Sequence, residues 1–179
     1  TALAGEPDAG GLLLYNYLSG EPVTGLEEGC PLLVRTPEAR LNFANFMRAQ
    51  LFSAVASLKL GMDILAADGV ELDRLLGHGG FFKTPEAGQK LMAAALGVPV
   101  SVMETAGEGG PWGMVLLAGY MALKKPGESL EDWLDGTVFA AQEVSTVSPD
   151  AEDAEGFGGF ISNYVRGLAV ERAAVENLR

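Results

Sequence analysis

The chain has 179 residues, 48% of them hydrophobic, with 24 glycines and a net charge of −12. That length suits one domain, residues 1–179, with a substantial core, and the acidity excludes a nucleic-acid backbone or an anionic membrane as the expected partner. A lone cysteine, Cys30, excludes an intramolecular disulfide or a cysteine-built metal site and fits a reducing compartment.

Thr1 to Gly11 is polar and glycine-rich and reads as a lead-in loop, with neither a signal peptide nor an initiating methionine. Leu12 to Leu18, LLLYNYL, reads as a strand. Turn signals at Ser19 to Pro22, Thr24-Gly25 and Glu28-Gly29 lead to a short extended piece at Leu32 to Arg35. Thr36-Pro37-Glu38 reads as a helix start, with Thr36 as N-cap, Pro37 at N1 and Glu38 complementing the helix dipole. The predicted helix runs from Pro37 to Ala67 and stops at Asp68-Gly69. Its apolar residues, Phe46, Leu51, Phe52, Val55, Leu58 and Leu65 among them, wrap most of the way round, so burial on more than one side is expected.

The next fifty residues repeat one pattern. Leu72 to Leu76 is a short apolar run that stops at Gly77-His78-Gly79-Gly80, and Thr84-Pro85-Glu86 starts a helix that ends at Gly97, with Thr84 as its cap. Leu91, Met92, Ala95 and Leu96 form that helix's expected buried side. Val98 to Met103 is a second strand, stopping at Gly107-Glu108-Gly109-Gly110, and another helix starts near Pro111. Met114, Leu117, Ala118 and Met121 are expected to line its buried side, and Gly113 and Gly119 suggest close packing against a neighbour. Apolar runs such as Met114 to Leu123 are too short to span a bilayer. Strands that feed helices through glycine turns predict a parallel sheet, with a ligand beyond the strands' carboxyl ends. Further on, Ser129 opens a short helix closed by Gly136, Glu143 to Val147 reads as extended, and the acidic stretch Asp150 to Glu155 starts a last helix reaching Asn177, as a solvated, dipole-matched first turn.

Three nucleotide templates can be laid on Gly77 to Thr84. A P-loop fits at Gly77, Lys83 and Thr84, but Phe82 stands where its second glycine belongs. A dinucleotide fingerprint fits at Gly77 and Gly79, with Phe82 in place of the third glycine and Glu104 as a candidate ribose acid. In the third arrangement the Gly79-Gly80 backbone passes close to a nucleotide and Lys83-Thr84 lies at the next helix start. Lys83 reads equally as a phosphate partner or a solvated loop lysine. Glu104 and Glu108 read as ribose or metal-water contacts, or as residues that fix the glycine turn. His78, the only histidine, lacks an evident orienting partner and reads as structural.

On these residues the chain resembles the carboxy-terminal domain of the FGGY family of carbohydrate kinases, near its xylulokinase-like branch. The resemblance is carried by Gly77-His78-Gly79-Gly80 with Lys83-Thr84, by Gln89, by Leu96-Gly97-Val98-Pro99-Val100, and by Glu108-Gly109-Gly110-Pro111-Trp112-Gly113 leading into Leu116-Leu117-Ala118. Arg48-Ala49-Gln50-Leu51 and Leu60-Gly61-Met62 are similar to the family's long helix ahead of the adenosine loop. The likeness spans most of Leu12 to Ala122 and the Glu171 to Glu176 tail. The loop is two residues longer than the family's usual G-G-G.

The resemblance implies an α/β fold of the actin-like, ribonuclease H-like ATPase class, partial, helix-rich and lacking its first strands. It implies nucleotide-binding residues Gly77, Gly79, Gly80, Lys83, Thr84 and Gln89, with ATP and its Mg2+ as cofactors and no catalytic base in this chain. A sugar substrate would be held by a missing N-terminal lobe, because the D-x-G-[ST] phosphate motif and the sugar pocket are absent from these residues. The parent is expected to be cytoplasmic, without nucleic-acid or membrane partners, and compatible with a homo-oligomer. The alternative functions are a dinucleotide-binding domain of an oxidoreductase and a non-catalytic interaction module.

Overall fold

A computed structural model describes every residue except Pro85, Ala141, Gln142 and Arg179, together with the side chains of residues 105 and 106. Strands β1 (Leu13–Tyr15) and β2 (Leu32–Val34) form an antiparallel pair. Strands β3 (Leu75–Gly77), β4 (Val100–Met103) and β5 (Val144–Val147) form a second sheet in the order β3-β4-β5. The β3–β4 pair is parallel and β4–β5 is antiparallel, so the sheet is mixed where an all-parallel one was expected. Strand β4 begins only at Val100, because Pro99 ahead of it has no N–H to give a ladder, although its carbonyl accepts the Leu75 N–H of β3.

Helix α1 (Phe43–Ala67) starts six residues later than the Thr36-Pro37 signal suggested. Its cap is Asn42, whose Oδ1 accepts the Asn45 N–H at 2.9 Å. Residues 36–42 are drawn away from a helix by other bonds. Thr36 closes a turn to Ala39, and the Arg40 N–H donates to the Gly10 carbonyl at 2.8 Å. The lead-in segment is also more than a loop. It forms 3-10 turns at Ala2–Ala4 and Ala9–Gly11, and Ala2, Ala9 and Gly10 are buried against α1. By length and composition alone, α1 is apolar enough to cross a membrane. Here its buried residues all lie between Asn45 and Ala56, and its C-terminal half leaves Leu58, Ile64 and Leu65 exposed, so the expected burial on more than one side does not extend to that half.

Helices α2 (Ala87–Leu96) and α5 (Ala151–Leu178) complete the core against α1. Of the predicted inner side of α2, Leu91, Met92 and Ala95 are buried and Leu96 half-buried, and Ala93 and Ala94 are buried as well. From α5, Phe157 and Phe160 pack on Phe52 of α1 with ring centroids 4.9 and 5.2 Å away, and Tyr164 lies 4.6 Å from Tyr15 of β1. Each such aromatic pair contributes about 0.5–1.5 kcal/mol beyond area burial. Arg48, fully inside, donates to the Ala2 carbonyl and pairs with Asp153 at 2.6 Å. Asp153 therefore does more than complement the dipole of α5. Asp150, whose Oδ1 accepts the Asp153 N–H, is the residue that caps that helix.

Helix α3 (Gly109–Leu123) differs from expectation. None of its described residues is buried, and Met114 and Met121 are 70% and 80% exposed, so the predicted inner face lies outside. A Cβ on Gly119 would sit 3.4 Å from the Trp133 ring, whereas Gly113 has open space beside it. The short helix α4 (Leu130–Trp133), capped by Ser129, continues as a π-type stretch over Leu134–Phe139 and so passes Gly136 instead of stopping there.

Glu171 on α5 is wholly buried. Its Oε1 accepts the Cys30 N–H at 2.6 Å, and Oε2 finds no hydrogen-bond partner among the described residues. Loss of hydration on burial pushes its pKa above the ordinary carboxylate value, against the smaller opposing effect of the Cys30 N–H. A raised folded-state pKa means that the native state binds the extra proton. Its contribution is fully present below the unfolded value of 4.5 and is lost as pH rises through the folded value. Denaturant midpoints measured from pH 4 upward should therefore fall in the native protein, and this fall should flatten in Glu171→Gln. Identical pH profiles for the two proteins would refute the assignment.

Candidate functional site

The parallel register sets Leu75 opposite Val100 and Gly77 opposite Val102, so the turns that follow β3 and β4 leave the same edge of the sheet. The first turn comprises His78, Gly79 and a 3-10 turn at Gly80–Phe82. Gly79 has φ +98°, a conformation that side-chain-bearing residues rarely adopt. No atom lies within 4 Å of where a Cβ on Gly79 or Gly80 would be, so the outer side of this turn is open. Gly77 is the opposite case. It is buried, and a Cβ there would collide with the Phe82 ring. Phe82, which replaces a glycine in two sequence templates, thus has a packing duty against Gly77 and against Phe81.

The second turn is the 3-10 segment Glu104–Glu108 that leads directly into α3. It touches the first turn at two points. Lys83 Nζ pairs with Glu108 Oε1 at 2.7 Å. The stem of Lys83 runs over Gly107, where an added Cβ would be 3.3 Å from its Cγ, and His78 lies as close to Gly109. From its position in the sequence Glu108 reads as a ribose or metal-water contact or as a residue that fixes the glycine turn, with no sign of Lys83 as its partner. Twenty-five residues separate the two, and only the strand register brings them together.

Thr84 is exposed and does not cap a helix. The predicted N1 residue, Pro85, lies outside the described residues. Helix α2 begins at Ala87, with Glu86 at its N-cap in a left-handed conformation (φ +66°) and no side-chain cap. Glu86 instead bonds Lys90 at 2.7 Å, and this bond and its charge hold the Glu86 carboxyl below the usual carboxylate pKa. Gln89 is buried, and its Nε2 donates to the carbonyls of Val100 and Ser145, both at 2.8 Å. It ties α2 to both β4 and β5 from beneath.

Two cavities flank the end of β4, and Met103 lines both. One, about 550 Å³, is bounded by Thr84, Gln89 and three carboxylates, Glu86, Glu104 and Glu143. The other, about 610 Å³, is bounded by Arg74, His78, Trp112, Asp135 and Phe139, with apolar walls. Both are of the size that holds small ligands. Among the described residues, no three His, Cys, Asp or Glu side chains gather as a metal cage.

Two adjacent glycine turns at the carboxyl edge of a partly parallel sheet, backed by helices, define an α/β lobe with a candidate ligand edge. The sequence matches the FGGY family of carbohydrate kinases, C-terminal domain, over residues 1–122, and the chain belongs to that family. No curated protein matches closely enough to add to this assignment. The fold is shared with solved kinases. A ligand-bound xylulose kinase from Lactobacillus acidophilus superimposes with a TM-score of 0.70 at 17% identity, over 98% of this chain and 34% of that one. A gluconate kinase from the same organism gives 0.69 at 17% identity, over 98% and 34%. A Plasmodium falciparum glycerol kinase with ADP gives 0.63 at 17% identity, over 91% and 31%. The chain thus has the α/β, actin-like ATPase fold of these kinases and spans about a third of their length. The comparisons give no support to the oxidoreductase alternative. The position of the fingerprint's third glycine holds the packed Phe82 ring, and no helix starts there.

Gln89 offers a direct test of how the site is held. Replacing it with Leu removes both bonds and leaves the Val100 carbonyl, on a wholly buried residue, without that donor. The expected loss is about 1–3 kcal/mol in urea unfolding at unchanged m-value. A loss under about 0.5 kcal/mol would show that the strands do not depend on this brace.

Proposed function

We propose that this chain is the nucleotide-binding lobe of an ATP-dependent sugar kinase, whose full chain moves the γ-phosphoryl of MgATP to a sugar hydroxyl. The observation that carries the proposal is the open backbone at Gly79-Gly80 with Lys83 beside it, at the shared edge of two glycine turns in an FGGY-family domain. The Gly79-Gly80 backbone borders the adenosine. Lys83 and the Thr84 hydroxyl meet phosphate. Gly77 and Gln89 act from behind, Gly77 by admitting the Phe82 ring and Gln89 by bracing β4.

Mg2+ arrives with the nucleotide and neutralises phosphate charge. Phosphoryl transfer depends mainly on alignment and charge neutralisation, and these need both walls of a cleft. The sugar and its general base belong, in this reading, to parts of the parent outside these residues. That accords with the absence of a D-x-G-[ST] sequence here and with an exposed His78. The parent acts in the cytoplasm, as a monomer or homo-oligomer.

Gly80 is a cleaner probe than Gly79, because its φ lies outside the left-handed range and bulk can be added without that strain. In the parent kinase, Gly80→Val should raise the KM for ATP roughly tenfold, about 1.4 kcal/mol, and leave that for sugar within about twofold. Equal effects on both substrates would count against the placement. The 179-residue chain alone should show no sugar-dependent ADP release across pentoses, hexoses and their ketose forms. Turnover that survives removal of contaminating kinases would place the base within this chain.

A further inference from the structure

Lys83 has two claims upon it at the turn edge. In the structure it pairs with Glu108, and in the proposed function it meets phosphate. We infer that Glu108 is a counter-ion latch, holding Lys83 across the two glycine turns until the phosphates of an adenine nucleotide displace it. The inference rests on the proposed nucleotide site and adds an exchange step to it.

Three features make the pair exchangeable. First, it is exposed on both sides, 55% for Lys83 and 70% for Glu108. Such exposed pairs are weak, and a polyphosphate with several charges and many acceptor oxygens outcompetes one carboxylate. Second, the lysine is steered. Its stem lies along Gly107, which leads its ammonium across to Glu108 on the second turn. Third, Glu108 has somewhere to go. It stands at the N-cap of α3, yet its side chain makes no cap bond there. Once released from Lys83, the carboxylate remains at the positive end of that helix, where the dipole favours it. The latch thus has two resting places for the acid and two partners for the lysine.

The test is calorimetric titration of the full-length kinase with three probes: MgATP, tripolyphosphate and adenosine. Glu108→Gln removes the competitor and should tighten MgATP and tripolyphosphate roughly two- to fivefold, with adenosine unchanged. Glu108→Ala should act in the same direction. Lys83→Met should weaken both phosphate ligands by about tenfold, and adding Glu108→Gln to it should then have no effect, because no lysine remains to release. Weaker MgATP binding in Glu108→Gln, an equal gain for adenosine, or a gain that persists in the Lys83→Met background would overturn the latch. If Lys83→Met itself leaves MgATP binding unchanged, the nucleotide reading of Lys83 fails, and the latch fails with it. If Lys83→Met weakens binding while both Glu108 variants do nothing, the latch alone fails.

Discussion

The parallel pairing of β3 with β4 is the constraint on which the rest depends. Three register pairs, Leu75–Val100, Leu76–Ser101 and Gly77–Val102, decide that two turns made twenty-five residues apart in sequence end side by side. A parallel pair cannot be closed by a tight turn and needs a crossover, which α2 supplies. The crossover also fixes what it crosses. Gln89, buried in α2, donates to a carbonyl of β4 and to one of β5, so the helix holds the central strand and its outer neighbour together. Each turn then has a rigid base and a free tip, an arrangement suited to a site that must combine fixed geometry with access.

That base is anchored through α2 to a second body of packing. On one side α2 meets α1, and on the other α5, and its run of alanines permits close approach to both. Beyond it, the rings of Phe52, Phe157, Phe160, Tyr164 and Tyr15 form a continuous aromatic row joining α1, α5 and β1. Arg48 lies at one end of this row, with its guanidinium 5.6 Å from the Phe52 ring centre and its charge matched by Asp153. A buried cation of this kind is tolerated because it is bonded on several sides, and removing one partner of such a pair costs more than the pair contributes. The row bears on function only indirectly, by fixing the helix that fixes the strands.

Most of the elements were legible in the sequence because each announces itself locally. Apolar-rich runs of five and six residues, each leading to a glycine turn, marked β3 and β4, and the long apolar pattern marked α1. What failed were inferences in which local chemistry was overruled at a distance. Thr36-Pro37-Glu38 has every mark of a helix start, but the Arg40 N–H is taken by Gly10, and Asn42 begins the helix instead. Thr84 fails similarly, because Glu86 adopts a left-handed backbone and the helix waits until Ala87. The apolar composition of α3 predicted burial, and composition alone cannot say whether a neighbour is present. At the candidate site, the two glycine turns were readable as turns. Two relations were not: the packing of Phe82 on Gly77, and the pairing of Lys83 with Glu108. Both are products of the fold.

The charge around the turns bears on how a nucleotide would be gripped. Glu104 and Glu108 lie on the second turn, Glu86 and Glu143 line the adjoining cavity, and the chain carries a net charge of −12. An uncomplexed triphosphate would be repelled by this surface at distances of about a Debye length, roughly 8–10 Å at moderate salt. Attraction must therefore come from close range, from Lys83 and from backbone N–H groups, which are indifferent to the acidic field beyond them. A magnesium-bound triphosphate carries less negative charge and suffers less from the same field. The acidity would thus favour the metal complex over the free nucleotide, while no three His, Cys, Asp or Glu side chains gather as a metal cage among the described residues. In the proposed site, the same acidity would favour phosphates on the side of the turn edge where Lys83 stands. On that side Lys83 is paired with Glu108, so its positive charge is balanced in the structure.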